Sequence, residues 1–213
     1  MSPAFLEFLL WFPAVVVALT VHEFAHAFVA DRLGDPTARA QGRVTLNPLS
    51  HLDLVGTILL VVMHFGWGRP VPVDTRYLRN PRRDLLVISA AGPAINLATA
   101  VVLGLGMRTV GQSLLTSETG VFVYLGLQAL VLLSLLLAFF NLLPVPPLDG
   151  SKVLMGLLPV PLADAYARQA SRLSWGLMGL IVVGAMTGWH PLSRLIYPPA
   201  RWIYVLLTGT DMP

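Results

Sequence analysis

The chain has 213 residues, of which 55% are hydrophobic and 12% are charged, and its formal net charge is +3. A soluble domain carries about 25% charged residues, so this chain has too few polar groups to cover a globular surface. An ordinary cytosolic enzyme is therefore not expected, and intrinsic disorder is excluded. The absence of cysteine rules out disulfides and thiolate metal sites and leaves histidine and carboxylates as metal ligands.

Long apolar runs follow one another along the chain. A helix that crosses the hydrocarbon core of a bilayer needs about 20 such residues. The runs lie at 5–29, 52–65, 85–107, 121–143, 175–187 and 192–207. They predict an all-α polytopic membrane protein with about five to six membrane helices or segments, which form a single integral membrane domain over residues 1–213.

The region between the first and third runs has a different pattern. Residues 38–48 mix polar and apolar side chains, and Val44, Thr45 and Leu46 favour strand, which predicts a small β element after the first helix. The run at 52–65 is short for a full span, and arginines flank it on both sides. A full crossing would place these arginines on opposite faces of the membrane, so a re-entrant or in-plane segment is favoured over a span.

The arginines also predict how the chain is oriented in the membrane. The connection between the runs at 85–107 and 121–143 holds only Arg108, whereas residues 31–84 hold Arg32, Arg39, Arg43, Arg69, Arg76, Arg79, Arg82 and Arg83. Because basic residues accumulate on the cytoplasmic side, region 31–84 is expected to face the cytoplasm. The first helix then runs from outside to inside, in a cytoplasmic or inner cell membrane.

The first apolar run contains the sequence His22-Glu23-Phe24-Ala25-His26. Residues four apart lie on one face of a helix, so His22 and His26 can bind one cation while Glu23 borders the same site. This spacing is typical of a zinc hydrolase helix, in which zinc activates a water molecule and the glutamate transfers the proton. A chance match is disfavoured because an ionisable side chain near the bilayer centre costs about 2.5–3.5 kcal/mol.

A third protein ligand is needed, because a catalytic zinc has three protein ligands and one open position. Asp149 follows a proline-broken helix end and is expected at the same membrane depth as His26, which makes it the best candidate by context. The alternative is that Asp149 is a turn residue in the pair Asp149-Gly150, and spacing alone favours that alternative.

Three separated motifs resemble the site-2 protease family of intramembrane zinc metalloproteases. They are the His-Glu-x-x-His motif, the motif Gly92-x-x-x-Asn96 in a later run, and the stretch from Asn141 through Pro144 and Pro147 to Asp149-Gly150. The resemblance covers about residues 15–155 and is to the small bacterial and archaeal members. A PDZ domain or a CBS pair, which many members carry, is not expected.

The resemblance implies the roles of the site residues. His22, His26 and Asp149 would bind one zinc ion per chain, and Glu23 would be the catalytic base. Asn96 and Asn141 match two further motif positions that position substrate or stabilise the oxyanion, for which a side-chain amide is a suitable donor. The alternative role for both asparagines is a hydrogen bond between helices. The catalytic core would lie at about 4–155, followed by C-terminal helices at 156–213.

The expected function is hydrolysis of peptide bonds in or near transmembrane segments, for regulated intramembrane proteolysis or for removal of signal-peptide remnants. The expected partners are a transmembrane protein or peptide substrate and the lipid bilayer, and no nucleic acid. The alternatives are a membrane zinc-binding or transport protein and a catalytically silent scaffold of the same fold. Concentration of the ionisable residues at one depth, rather than along a path, favours hydrolysis over transport.

Overall fold

The computed structural model describes residues 3–63, 66–189 and 191–212. These residues form eight α-helices and two short 3₁₀ turns, without a β-strand. The helices are α1 (Pro3–Arg32), α2 (Thr37–Ala40), α3 (Leu54–Met63), α4 (Pro81–Leu114), α5 (Glu118–Asn141), α6 (Asp149–Leu157), α7 (Val160–Thr187) and α8 (Pro191–Thr208).

Four of the helices in the described part of the chain, namely α1, α4, α5 and α7, are long and apolar enough to cross a membrane. The prediction of an all-helical, multi-span protein is confirmed. The other two segments that the apolar runs predicted correspond to α3 and α8, and neither of these belongs to the four candidate spans.

Helix α3 is the central part of a hairpin-like segment of the chain. Its described residues rise only about 15 Å, roughly half of the hydrocarbon thickness. Leu52, before the helix, forms an antiparallel bridge with Gly68, after it, and the Arg69 N–H donates to the His51 carbonyl at 2.7 Å. The segment therefore returns to the place where it started, which is the geometry of a re-entrant segment.

The strand expected near Val44–Leu46 is not confirmed, because residues 43–47 form bends and irregular backbone. A sheet needs a partner that offers free carbonyls, and the neighbouring segment is already occupied. The Arg43 side chain donates to the carbonyls of Arg69 at 2.5 Å and of Pro70 at 3.1 Å. A local preference for extended backbone is therefore satisfied without strand pairing.

Helix α4 is central, and it packs against α1, α5, α6 and α8. The largest buried apolar cluster joins α4, α5 and α8 and contains Ala100, Met107, Val131, Leu132, Leu135, Ala200, Tyr204 and Leu207. Helix α1 lies against α4 and α5 at the other side of the bundle. This arrangement brings the polar face of α1 towards the middle of α4 and the beginning of α6.

Candidate metal centre

The polar group of α1 is buried within the bundle. His22 and His26 are 3% and 7% exposed, and Glu23 between them is half-buried. Because they are one helical turn apart, the two imidazoles lie on the same face, with ring centroids 4.7 Å apart. Both Nε2 atoms lie 3.1 Å from the same oxygen of Asp149, Oδ2.

Asp149 reaches this position because the chain turns sharply after α5. The proline-rich segment between α5 and α6 contains a cis peptide bond between Pro146 and Pro147, and Asp149 is the first residue of α6. The next residue, Gly150, lies so close to the carbonyls of Leu142 and Leu143 that a Cβ atom would clash with them. The compact turn thus places a carboxylate at a helix N-terminus, where the helix dipole favours negative charge.

The Asp149 carboxyl has the charge that a cation requires. Burial by itself raises the pKa of Asp149, but contacts with His22 and His26 outweigh burial and hold that pKa well below its ordinary value. The carboxylate is therefore ionised at neutral pH, and metal ligands must be unprotonated to bind.

The three side chains fit a zinc ion. His22, His26 and Asp149 offer ligand atoms that all lie within 4.8 Å of one another. Ligands of a tetrahedral zinc with bonds near 2.1 Å are about 3.4 Å apart, so the observed 3.1 Å separations need only a small expansion. Two nitrogens and one carboxylate oxygen also form the kind of donor set that catalytic zinc prefers.

Gly92 of α4 provides the space in front of these donors. A Cβ atom at this position would lie under 3.0 Å from the Nε2 atoms of both His22 and His26. Any other residue would therefore place a side-chain atom where the two ligand nitrogens converge. The absence of a side chain at Gly92 leaves the point between the donors accessible, as a bound ion requires.

A cavity of about 280 Å³ opens from the candidate metal centre. His22, Glu23, His26 and Asp149 all line it, so the expected base and the expected ligands face the same space. The segment Gly68–Val73, the end of α5 and Lys152 of α6 complete the wall. This arrangement can hold a substrate carbonyl and a water molecule beside the ligands.

The two asparagines of the motifs lie in different environments. Asn141 lines the cavity, and its Nδ2 donates to the Leu137 carbonyl at 3.0 Å. Asn96 is fully buried and is not among the residues that line the cavity, and its Nδ2 lies 3.4 Å from His22 Nδ1. Asn96 therefore contacts a ligand side chain rather than the space for substrate.

Sequence reasoning missed two residues that shape the site. Gly92 was noted as part of a motif and, with Pro93, as a kink or local opening of the helix beside the site, but not as a residue against both histidines; Arg43 was counted among the cytoplasmic charges. Arg43 is instead 2% exposed; burial lowers the pKa of its guanidinium, and the charge of nearby Glu23 opposes that shift. The sequence pattern gave no signal for the buried position of Arg43, because no spacing rule links it to Glu23.

Among the described residues, His51 does not join the candidate metal centre. His51 is fully buried, and its Nε2 contacts the Thr45 carbonyl at 2.8 Å. It fixes the loop before α3. No ligand partner lies at helical spacing from His64 or His190, which predicts interface or loop positions for both; both lie outside the described residues.

A membrane helix with a histidine pair, an intervening glutamate and a remote aspartate defines a metallopeptidase-type site. Comparison with known proteins identifies the family. Residues 106–183 match the model of "Peptidase family M50", a range that includes Asn141 and Asp149. No solved structure matches the chain.

Curated relatives cover more of the chain. The Bacillus subtilis protein named "Putative zinc metalloprotease YwhC" is 42% identical over 173 residues, which are 79% of this chain and 77% of that protein. The Mycobacterium tuberculosis H37Rv protein named "Putative zinc metalloprotease Rip2" is 34% identical over 82% of this chain and 67% of its own length. The Rip2 protein of Mycolicibacterium smegmatis is 32% identical over 92% of this chain and 73% of its own length.

The chain belongs to peptidase family M50, the site-2 protease family. The family resemblance drawn from the three sequence motifs is thereby confirmed, and the protein is a membrane metallopeptidase of site-2 protease type. The roles of the individual site residues remain predictions, supported by their geometry.

Proposed function

We propose that the protein is an intramembrane zinc endopeptidase that hydrolyses peptide bonds in or near transmembrane segments of membrane proteins. One observation carries the proposal: Glu23 and the three candidate ligands line one cavity inside a bundle of membrane-length helices. In this account one zinc ion binds to His22, His26 and Asp149.

The side chains divide the chemistry between them. A zinc ion bound there supplies Lewis acidity, which acidifies a water molecule and polarises a peptide carbonyl. Glu23 accepts one proton from the water as its oxygen bonds to the carbonyl carbon. Glu23 then passes this proton to the amide nitrogen as the carbon–nitrogen bond breaks, which gives a carboxylic acid and an amine; transfer of the remaining acid proton to the amine yields a carboxylate and an ammonium group. Asn141, on the cavity wall, is in place to donate to the carbonyl oxygen or to the substrate backbone.

An apolar cavity beside the candidate metal centre supports a membrane-embedded substrate. Its volume is about 500 Å³, and it lies between α1, α3, α5 and α8. It shares lining residues with the smaller cavity, namely Leu19, Gly66, Trp67, Leu137 and Phe140. A substrate segment could thus keep its apolar side chains in apolar surroundings while its backbone reaches Glu23.

The segment Val71–Val73 supports binding of an unwound substrate, because Pro72 biases Val71 towards extended backbone. Both valines line the cavity of the metal centre, and within the described residues their N–H groups have no backbone partner. Alternate residues of an extended segment direct their N–H groups to the same side, so the two groups can pair with one extended peptide. Such pairing would hold the substrate segment in an extended form, in which its scissile amide is accessible. In a helix that amide would be hidden.

We further propose that the protein lies in the cell membrane, with its site nearer the cytoplasmic side. The arginines of region 31–84 support this orientation even without Arg43. The seven that remain still outnumber Arg108, the one arginine between the apolar runs at 85–107 and 121–143. Regulated intramembrane proteolysis and removal of signal-peptide remnants are both compatible roles for such a site.

The ligand assignment is tested by the zinc content of purified variants. We expect Asp149→Ala to lower the zinc content of the folded protein well below that of the wild type. Asp164→Ala is the matched control, because Asp164 is an exposed carboxylate on α7, and it should retain the wild-type content. Equal zinc in Asp149→Ala and wild type would remove Asp149 from the ligand set.

The substrate class is tested with one peptide sequence in two forms. The protein is reconstituted in vesicles with a model transmembrane substrate, and cleavage is compared with that of a water-soluble peptide covering only the scissile region. The proposal predicts chelator-sensitive cleavage of the embedded form in preference to the soluble form. Faster cleavage of the soluble peptide would contradict an intramembrane substrate.

A further inference from the structure

The candidate metal centre imposes a requirement on the hydrogens of its histidines. Both imidazoles direct Nε2 towards Asp149 Oδ2, so Nε2 is the nitrogen that faces the ligand position. A nitrogen that binds a metal offers its lone pair and carries no hydrogen. The single hydrogen of each neutral imidazole must then be on Nδ1, and a buried Nδ1–H needs an acceptor.

His26 satisfies this requirement through the backbone of α4. Its Nδ1 lies 2.7 Å from the Ile88 carbonyl oxygen. A carbonyl oxygen can only accept, so Nδ1 carries the hydrogen and Nε2 is left with its lone pair. The backbone therefore selects the tautomer of His26 without any help from a side chain.

Within the described residues no carbonyl oxygen accepts from His22 Nδ1, and its contact there is with Asn96. The contact between His22 Nδ1 and Asn96 Nδ2 is long, at 3.4 Å, and it joins an amide donor to a nitrogen that must itself donate. Asn96 is 0% exposed, and its Oδ1 has no hydrogen-bond partner within the described residues. Rotation of the amide by half a turn exchanges Nδ2 and Oδ1, which converts the mismatch into an Nδ1–H···Oδ1 hydrogen bond.

We propose that Asn96 is a positioning residue whose Oδ1 accepts a hydrogen bond from His22 Nδ1–H and so holds His22 in the metal-binding tautomer. This inference rests on the proposed zinc centre and replaces the substrate or oxyanion role that the motif suggested for Asn96. It accounts for the buried Asn96 Oδ1 atom, for the position of Asn96 behind His22, and for the absence of Asn96 from the cavity wall. Asn96 acts on the metal through His22 and does not touch the substrate.

The test measures the zinc Kd of purified protein by competition with a chelator, independently of peptidase activity. Asn96→Leu preserves the approximate size of the side chain and removes the acceptor. Loss of such a partner costs about 10–100-fold in metal affinity, and we expect a weakening in that range. Asn96→Asp restores an acceptor and cannot donate when ionised, so it should bind zinc at least as tightly as the wild type.

The control is Gln128→Leu, which removes another buried amide from α5. Gln128 is 13 residues before Asn141 on α5, which corresponds to about 20 Å along the helix. The Gln128→Leu variant should therefore retain the zinc Kd of the wild type. If Asn96→Leu fails to fold, Asn96→Ala provides the acceptor-free variant, and helical content together with gel-filtration profile identifies the folded protein.

The outcomes separate this inference from the proposed function. Weak zinc binding by Asn96→Leu, together with wild-type binding by Asn96→Asp, supports the acceptor role. Equal affinity in all three proteins would overturn it while leaving the zinc centre intact. Equal weakening by Leu and Asp would also overturn it, because the amide would then act as a donor or through packing. A wild-type protein that binds no zinc would contradict both this inference and the proposed function.

Discussion

Gly92 shows how a single residue decides whether the candidate metal centre can accept an ion. The two ligand imidazoles lie against its Cα atom, and a Cβ atom there would lie under 3.0 Å from both Nε2 atoms. In the same helix, a Cβ atom at Gly106 would meet no described atom within 4 Å apart from the neighbouring backbone of α4 itself. The two glycines therefore provide a matched pair, in which the same substitution meets a crowded site in one case and open space in the other.

We expect Gly92→Ala to weaken zinc binding by about tenfold or more, since overpacking of a filled site costs about 1–3 kcal/mol. The helix itself should not suffer, because alanine is favoured over glycine in a helix interior by about 1 kcal/mol. The measurement is the zinc Kd together with the thermal midpoint Tm. Gly106→Ala should retain the wild-type Kd, and a wild-type Kd in Gly92→Ala would show that the methyl group does not enter the ligand space.

At the scale of elements, the extended segment beside Glu23 is held by a buried arginine rather than by a sheet. Arg43 donates to the carbonyls of Arg69 and Pro70, and Arg69 in turn donates to the His51 carbonyl. These bonds connect the loop before α3 with the segment after it. They fix the start of Gly68–Val73, the segment that forms one wall of the cavity of the metal centre.

Arg43→Ala should lower the Tm, because it removes two hydrogen bonds from a charged donor and leaves two carbonyls without their partner. Hydrogen bonds to charged groups contribute about 1.5–3 kcal/mol each, so the loss is expected to be a large part of the total stability. Arg39→Ala is the control, since Arg39 is an exposed residue that pairs with Asp31, and exposed pairs contribute little. An equal Tm for both variants would contradict the role of Arg43.

The same region shows where sequence patterns succeed and where they do not. The spacing of His22, Glu23 and His26 predicts their shared face because helix geometry is local. The length of the run at 52–65 and its flanking arginines favoured a segment that turns back, and the bridge between Leu52 and Gly68 supports that interpretation. The strand at Val44–Leu46 was not confirmed, because strand formation depends on a partner that local propensity does not specify. The positions of Gly92, Arg43 and Asn96 relative to the histidines depend on tertiary packing, which the sequence pattern does not contain.

For the molecule as a whole, the charges of the chain and its helix lengths together support the proposed orientation. Helix α4 has 34 residues and rises about 51 Å, which exceeds the hydrocarbon thickness of about 30 Å. Its two ends must therefore lie on opposite sides of the membrane if it crosses upright. The positive-inside rule favours a cytoplasmic location for the end that follows Arg76 and Arg79.

This orientation is tested by labelling single cysteines, which is direct because the natural chain contains none. Arg79 and Thr116 are exposed positions near opposite ends of α4. We expect Arg79→Cys to react with an impermeant maleimide only after the cell membrane is opened, and Thr116→Cys to react in intact cells. The reverse pattern would overturn the topology and place the site nearer the outer side.

In the proposed function, Glu23 is the base of a zinc-dependent hydrolysis inside the membrane. The most direct measurement compares cleavage of a vesicle-embedded transmembrane substrate by wild type and by Glu23→Gln, with zinc content determined in the same preparations. The account predicts full zinc content and about 10²–10⁴-fold slower cleavage in Glu23→Gln, with wild-type rates in the control Glu7→Gln, a substitution near the far end of the same helix. Wild-type turnover by zinc-loaded Glu23→Gln would contradict the account.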